Sequence, residues 1–238
     1  MAQHVYGVDL GTSNIKMYSL ANDVTLNEKN VIAIKNKNEI FKFGDFAFEM
    51  YEKAPGNINV TFPVKFGVIA DIQNMEALFS CFYKKINSNK AVNGADFCIA
   101  VPTDVTEVEK RAVEDAVIQA GAKNVVLIEE PMAAAIGAGL PVDNPVGSMI
   151  VDIGGGTTEV AIISLSGIVA SRTLRVAGNY LDNAIVDFVK KHYSLAIGDR
   201  TAEDIKFELA SAMQRNDGFY DVKGRDIVSN SIFPDIFS

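Results

Sequence analysis

Two short polar turns in the sequence have the composition of phosphate-binding loops. One reads Asp9-Leu10-Gly11-Thr12-Ser13-Asn14, and the other reads Asp152-Ile153-Gly154-Gly155-Gly156-Thr157. Glycine lets the backbone approach a bulky anion, and successive N–H groups can then cradle phosphate oxygens, while hydroxyl groups add donors. A single turn of this kind is usually only a turn. Its repetition 143 residues later favours a pair of phosphate loops that face each other.

An aspartate begins each of these turns. Asp9 and Asp152 would repel a phosphate that they touched, so we expect them to hold a hydrated Mg²⁺ against the phosphates through water. The sequence contains neither Gly-x-x-x-x-Gly-Lys-Ser/Thr nor Gly-x-Gly-x-x-Gly. These two motifs mark the P-loop and the Rossmann dinucleotide site. The turns therefore indicate a different nucleotide-binding fold.

Apolar runs with strand spacing and with helical spacing follow one another along the chain, which predicts an α/β fold. The clearest helix is 106–120, where Thr106 and Glu109 form a capping-box pattern and Gly121 ends the helix. Further helices are predicted at 45–51, 74–86, 132–138, 180–193 and 201–213. Strands are predicted at 5–10, 15–20, 31–35, 39–43, 58–62, 97–101, 125–128, 149–152, 160–164 and 168–174.

Composition excludes several classes of protein. Of the 238 residues, 48% are hydrophobic, which argues against disorder, and no uncharged run is long enough to span a membrane. The 30 acidic residues outnumber the 22 basic ones, so we expect no nucleic-acid partner bound through a basic face. Cys81 and Cys98 lie in apolar surroundings and are predicted to be buried, reduced thiols. Residues 1–4 lack the features of a signal peptide, so we expect a cytoplasmic protein.

The paired turns resemble those of the superfamily that contains actin, heat-shock chaperones and sugar kinases. Four longer segments resemble one branch of it, the MreB family of bacterial actins that determine rod shape. These segments are LIEEPMAAAIGAGLP at 127–141, GSMIVDIGGGTTEV at 147–160, PGNI at 55–58 and GVIAD at 67–71. The resemblance extends from about Tyr6 to about Val228, which is nearly the whole chain.

The resemblance implies an actin-like (ribonuclease H-like) two-lobed ATPase fold with duplicated mixed sheets. Residues 1–145 would form the first lobe, with a smaller inserted subdomain at about 33–65. Residues 146–238 would form part of the second lobe, with the second phosphate loop on hairpin strands at 146–178 and a smaller subdomain at 179–238. Family members continue further, so we expect a truncated second lobe in which Val160, Ile162 and Ile168 are candidates for an uncovered apolar face.

The resemblance also implies roles for individual residues. Glu130, directly before Pro131, would orient the attacking water, with Glu129 as the alternative. Gly178 would approach the nucleotide closely, although Ala177 and Asn179 beside it replace the usual glycine and aspartate. Glu203 and Lys206 would flank the ribose and adenine. Asp9, Gly11, Thr12, Ser13 and Asn14 would form the first phosphate loop, and Asp152, Gly154, Gly155, Gly156 and Thr157 the second. Lys16 could equally contact phosphate or lie exposed on its strand.

By resemblance, the protein would bind ATP with Mg²⁺, polymerise head to tail and be at most a slow ATPase. Its partners would be further copies of itself, the cell-wall elongation machinery and the inner face of the membrane. The loop 87–96 has only three apolar residues with which to reach a membrane, Ala91, Val92 and Ala95. Two alternatives remain at this point. The chain could be a fragment that does not polymerise, or a small-molecule kinase, for which the sequence offers no spare aspartate base.

Overall fold

A computed structural model describes residues 4–88, 94–214 and 218–227, together with the strand at 232–237. The chain forms two compact units, Met1–Arg175 and Val176–Ser238. The hairpin strands assigned by resemblance to the second lobe therefore lie mostly in the first unit. The predicted lobe boundary at residue 145 stays a prediction.

The first unit contains thirteen strands and four helices among its described residues. The strands are β1 (Val5–Leu10), β2 (Asn14–Ser19), β3 (Val24–Lys29), β4 (Ile32–Lys35), β5 (Glu39–Phe43), β6 (Ile58–Thr61), β7 (Val64–Lys65), β8 (Val68–Ile69), β9 (Asp96–Val101), β10 (Asn124–Glu129), β11 (Ser148–Ile153), β12 (Thr158–Ser164) and β13 (Gly167–Leu174). The helices are α1 (Asp45–Phe48), α2 (Ile72–Ile86), α3 (Glu107–Gln119) and α4 (Glu130–Gly137).

The largest sheet has the strand order β10-β9-β1-β2-β3. β1, β9 and β10 are parallel, whereas β2 and β3 continue the sheet as an antiparallel meander. The carboxyl ends of parallel strands lie at one edge of a sheet, where ligand sites of α/β proteins concentrate. Ala100 on β9 is opposite Asp9 on one side and Ile128 on the other. The first polar turn and the start of α4 therefore emerge at the same edge.

The core of this unit lies under the large sheet. Alternate residues of β1 point inward, and Tyr6 is fully buried with its ring stacked on Phe97 at 5.2 Å between centroids. α2 packs Phe79 and Phe82 into the same cluster. This apolar packing holds the edge of the sheet, and the turns that leave it, in a fixed position.

A second sheet, β11-β12-β13, is an antiparallel meander like β1-β2-β3. Ile162 is 41% exposed on one face, as expected. Val160 and Ile168 are only half-buried, and the strongly exposed apolar residues of β11 are instead Met149 and Ile153. Val160 lies on the same face as Ile162, because it alternates with the buried Glu159 and Ala161. Ile168 lies opposite the buried Ile163, so the expectation was wrong for Ile168. β11 adds Met149, opposite Ile162, to the exposed face.

Most predicted elements are confirmed, including the capping box of Thr106 and Glu109 at the start of α3. Three strands of the first unit were not predicted, namely β3 and the very short β7 and β8, and the three strands of the second unit were not predicted either. β4 pairs with β5 on one side and with β6 on the other, both antiparallel. These three strands form a small sheet within the region expected to be an inserted subdomain. Cys81 and Cys98 are free thiols, as predicted, but both are partly rather than fully buried.

The second unit contains α5 (Gly178–Tyr193), β14 (Leu195–Ala196), α6 (Asp199–Leu209), β15 (Tyr220–Asp226) and β16 (Ile232–Phe237). Its small core is formed by Val189, Leu195, Ile205 and Val222. α6 ends four residues before the predicted end at residue 213, because Ala210 has an extended backbone. Within the described ranges, no helix is both long and apolar enough to cross a membrane. Residues 89–93 of the loop considered for membrane contact lie outside those ranges.

Candidate functional site

Both polar turns line a single cavity of about 510 Å³ in the first unit. This volume lies in the range of small-molecule sites. Every residue that the sequence assigned to the two loops and to catalysis lines it: Asp9, Gly11, Thr12, Ser13, Asn14, Glu130, Asp152, Gly154, Gly155, Gly156 and Thr157. Lys16, Asn27, Gly67 and Glu159 also line it, and they were not among the assigned residues.

The pairing of the strands explains how the two turns come to match. Asp9 on β1 lies opposite Lys16 on β2, and Asp152 on β11 lies opposite Glu159 on β12. In both hairpins the paired residue follows the aspartate by seven positions. Each aspartate is therefore the second-last residue of its strand and leaves the sheet next to a turn of glycines and hydroxyl residues.

A buried asparagine fixes the first turn. The Asn30 side-chain amide donates a hydrogen bond of 2.8 Å to the Gly11 carbonyl oxygen, and its backbone N–H donates one of 2.9 Å to the Ser13 carbonyl oxygen. At Gly11, an added Cβ would lie only 2.6 Å from the Asn14 carbonyl oxygen, so the turn requires glycine there. Asn30 lies nineteen residues beyond Gly11, and no local motif in the sequence points to this contact.

A third segment joins the two turns. The Gly67 N–H donates a hydrogen bond of 2.8 Å to Thr12 Oγ1. At Gly156, an added Cβ would lie 2.5 Å from that same oxygen and 3.1 Å from the Phe66 Cα. The tip of the β7–β8 hairpin, Phe66–Gly67, therefore contacts both turns, and Thr12 Oγ1 keeps its own proton available for a ligand. The segment GVIAD, noted only for its resemblance, begins at this tip.

Four carboxylates surround the cavity, namely Asp9, Glu130, Asp152 and Glu159, and Lys16 is the cation among its lining residues. Lys16 Nζ lies 2.9 Å from Asp9 Oδ2. This hydrogen bond and the charge of Asp9 raise the pKa of Lys16. Lys16 thus lines the cavity and its side chain is also 58% exposed, and its contact with phosphate stays a prediction.

Glu130 has the most perturbed carboxyl group of the site. Burial is the main cause that raises its pKa from 4.5 to about 8, followed by the negative charges of Glu159, Asp9 and Asp152. α4 begins at Glu130, with Pro131 in its first turn, so the carboxyl group is fixed at the start of the helix. Glu129, the alternative, precedes the helix, is exposed and does not line the cavity.

The carboxylates also fit a hydrated metal ion. Burial raises the pKa of Asp152, and the charges of Asp9 and Glu159 raise it further. A divalent cation between Asp9 and Asp152 would relieve this repulsion. In the described part of the chain, no cluster of three or more His, Cys, Asp or Glu residues is arranged to ligate a metal. Contact of Asp9 and Asp152 with Mg²⁺ through water stays a prediction.

The remaining three predicted site residues lie in the second unit. Gly178 begins α5, and Glu203 and Lys206 lie on α6. Lys206 Nζ lies 2.7 Å from Asp182 Oδ1 and 2.9 Å from Asp182 Oδ2, and it donates a longer bond of 3.3 Å to the Gly178 carbonyl oxygen. Lys206 therefore connects α6 to the first turn of α5. The sequence analysis missed Asp182, because its partner lies 24 residues away on another helix.

Comparison with known proteins agrees with this geometry. A family model described as "MreB/Mbl protein" matches residues 3–232. The cell shape-determining protein Mbl of Bacillus subtilis is 41% identical over 226 residues, which cover 94% of this chain and 68% of that protein. The cell shape-determining protein MreB of Escherichia coli K12 is 43% identical over 227 residues, covering 92% of this chain and 65% of that protein. This chain therefore spans about two thirds of the length of these relatives.

A solved structure shows the same fold. MreB5 of Spiroplasma citri bound to AMPPNP is 35% identical and has a TM-score of 0.92, with 100% of this chain and 72% of that chain covered. The actin-like α/β fold that the resemblance implied is thus confirmed. From the family match and the structural similarity together, this chain belongs to the MreB/Mbl family and has an actin-like α/β fold.

Proposed function

We propose that the chain is an ATP-binding, actin-like cytoskeletal protein that forms filaments and hydrolyses ATP slowly. The observation that carries this proposal is the convergence of both glycine turns and the Glu130 carboxyl group on one cavity. The structure of S. citri MreB5 with AMPPNP supports a nucleotide as the ligand.

The residues around the cavity suggest how the site would work. Backbone N–H groups of the two turns would hold the phosphates, and Lys16 could turn from Asp9 to a phosphate oxygen. Asp9 and Asp152 would hold Mg²⁺ through water; the ion, when bound, would neutralise charge on the phosphates. Glu130 would align water for in-line attack and accept its proton once the carboxyl group is ionised. Gly178, Glu203 and Lys206 are proposed to contact the rest of the nucleotide, with Lys206 already held by Asp182.

The names of the relatives support a proposal for the cellular role. Mbl and MreB are both named cell shape-determining proteins. We propose that this protein assembles head to tail, an arrangement that does not close and therefore produces filaments. It would act in the cytoplasm at the inner face of the membrane, together with the machinery for cell-wall elongation.

Calorimetry with Mg-AMPPNP tests nucleotide binding, and phosphate release with Mg-ATP tests hydrolysis. Asp152→Asn removes one proposed metal-holding charge, and we expect it to weaken Mg-AMPPNP binding at least about tenfold. Asp143→Asn is the matched control, because Asp143 is exposed and does not line the cavity. Equal affinity of the Asp152 variant and the wild type would contradict the site.

Assembly requires its own measurement. We expect sedimentation and electron microscopy to show filaments with Mg-ATP that are absent without nucleotide. A chain that binds Mg-AMPPNP but yields no filaments would support the alternative of a fragment that cannot polymerise. Turnover that depends on an added sugar or carboxylic acid would support the kinase alternative.

A further inference from the structure

Glu159 is a buried acid for which the proposed mechanism has no role. It lies on β12, is 1% exposed and lines the cavity. Burying a carboxylate is costly unless hydrogen bonds or an opposite charge compensate it. Lys16, the cation among the lining residues, is paired with Asp9 rather than with Glu159. The position of this acid therefore calls for an explanation beyond stability.

One oxygen of Glu159 is held firmly. Oε1 accepts hydrogen bonds of 2.9 Å from the Thr103 N–H, 2.8 Å from Thr103 Oγ1 and 2.9 Å from Thr173 Oγ1. Thr103 follows the carboxyl end of β9, and Thr173 lies on β13. Two different sheets thus fix the side chain, and the rotation of its carboxyl group is set by three donors.

The second oxygen of Glu159 is buried without such donors: among the described residues, no group donates a conventional hydrogen bond to Oε2. Glu130 lines the same cavity, its helix α4 packs against β12, and the negative charge of Glu159 contributes to the raised pKa of Glu130. Glu159 is therefore a firmly held acid close to the residue that we propose to align water.

Glu159 and Lys16 occupy equivalent positions in the two repeated hairpins. Lys16 lies opposite Asp9 in the first hairpin, and Glu159 lies opposite Asp152 in the second. The lysine pairs with Asp9, but a glutamate cannot pair with Asp152, and its charge instead raises the pKa of Asp152. A residue that violates local charge balance at a cavity is more typical of function than of stability.

We propose that Glu159 is a positioning residue that holds the Glu130 carboxyl group in the orientation needed to align water. Thr103 and Thr173 anchor Glu159, and Glu159 in turn fixes Glu130. This inference rests on the proposed ATPase function. It assigns Glu159 no contact with the nucleotide.

Two substitutions at position 159 separate positioning from charge. Glu159→Gln loses the charge but keeps hydrogen-bonding atoms at both positions, whereas Glu159→Met keeps only the length of the side chain. We expect Met to lower kcat about 100-fold, as for a misplaced catalytic group, and Gln to lower it no more than about fivefold. The dissociation constant for Mg-AMPPNP should stay within about twofold of the wild type in both variants, because Glu159 does not bind the nucleotide.

Substitution of Thr173, which holds Glu159, tests the same contacts from outside the cavity, because Thr173 does not line the cavity. Thr173→Val removes the hydroxyl donor at nearly constant size, and we expect kcat to fall about tenfold with unchanged Mg-AMPPNP affinity. Thr173→Ser restores the donor and should restore kcat. Ser171→Ala, an exposed position on the same strand, is the control and should match the wild type.

Each possible result decides the matter. Wild-type kcat in both Glu159→Met and Thr173→Val would overturn the positioning role, and so would equal losses in Gln and Met, which would indicate a charge effect. Weaker Mg-AMPPNP binding in parallel with the loss of kcat would show that Glu159 only maintains the cavity. A wild-type chain that neither binds Mg-AMPPNP nor releases phosphate would instead refute the proposed function, and this inference with it.

Discussion

Individual carboxyl groups around the cavity differ in how their charge is compensated. Asp9 has Lys16 at 2.9 Å, and Glu159 has three hydrogen-bond donors. Among the described residues no such cation or set of donors compensates Glu130, and burial and its acidic neighbours raise its pKa to about 8. The least compensated carboxyl group is thus the one at the proposed position of the attacking water, where a group that exchanges a proton near neutral pH is useful.

Glu130 should make the free energy of unfolding depend on pH when nucleotide and metal are absent. Between pH 4.5 and about pH 8 the unfolded chain releases the Glu130 proton while the folded protein retains it. The unfolded state then binds fewer protons, so this residue lowers the free energy of unfolding as pH rises through that window. We expect Glu130→Gln to be more stable than the wild type by on the order of 2–4 kcal/mol at pH 8, and no more stable at pH 4.5.

Urea unfolding at both pH values, with EDTA present, measures this difference. Glu129→Gln is the matched control, because Glu129 is exposed and its substitution should change little. Parallel pH profiles for wild type and Glu130→Gln would contradict the shifted pKa of Glu130.

A site residue could be recognised from the sequence only when its role depends on residues next to it in the chain. The turns around Gly11 and Gly155 carry their signature in consecutive residues. Asn30, Asp182 and Glu159 act through partners that are distant in the chain, and only the folded structure brings these together. For Lys16, seven positions after Asp9, strand alternation alone could not distinguish a cavity residue from an exposed one.

Among the structural elements, the two glycine turns and the tip of the β7–β8 hairpin pack directly against one another. Gly156→Ala would place a methyl group 2.5 Å from Thr12 Oγ1 and 3.1 Å from the Phe66 Cα. Two backbone segments would have to separate, so we expect a loss of stability of about 1–3 kcal/mol. Mg-AMPPNP binding should weaken because Thr12 would be displaced from the cavity.

A second glycine provides the control for this substitution. At Gly137 in α4, an added Cβ would have no neighbouring atom within 4 Å. Gly137→Ala should be neutral or stabilising by up to about 1 kcal/mol, because alanine favours the helix. Chemical unfolding and calorimetry of both variants measure the comparison. Similar behaviour of the two alanine variants would refute close packing at Gly156.

The pairing of α5 with α6 gives a separate prediction for the second unit. Lys206 and Asp182 are largely buried, with side-chain exposures of 14% and 12%. Lys206→Met leaves a buried carboxylate without its partner, so we expect a loss of about 3 kcal/mol. The double variant Asp182→Asn, Lys206→Met should be less destabilised than Lys206→Met alone, as chemical unfolding can measure. Equal losses of stability in the single and the double variant would show that the uncompensated charge of Asp182 is not the cause of the destabilisation.

Elements with strong local signals were predicted well, and weaker ones were not. α3 has a capping box and an apolar stripe, and its bounds differ from the prediction by one residue at each end. β3 was missed because it mixes Val24 and Leu26 with four polar residues, and its pairing with β2 decides its structure. β7 and β8 have two residues each, too few for any periodicity to be read.

For the whole molecule, the repeated meanders β1-β2-β3 and β11-β12-β13 give the first unit an approximate internal symmetry. The two hairpins have the same strand pairing but opposite charges at equivalent positions, because Lys16 in one corresponds to Glu159 in the other. Acidic groups outnumber basic ones around the cavity, as they do in the chain, whose net charge is −8. Binding of an anionic nucleotide to such a site therefore requires cations in addition to Lys16.

This requirement predicts that nucleotide stabilises the protein only when Mg²⁺ is present. A ligand that binds the folded state alone raises the free energy of unfolding by about 2.7 kcal/mol at a concentration one hundred times its dissociation constant. We expect Mg-AMPPNP to raise the Tm accordingly and EDTA to abolish most of the increase, because Asp9 and Asp152 would then repel the phosphates. Asp152→Asn should lose less on addition of EDTA than the wild type, since it presents one charge fewer. A Tm increase by AMPPNP that EDTA leaves unchanged would show that the carboxylates do not act through a metal ion.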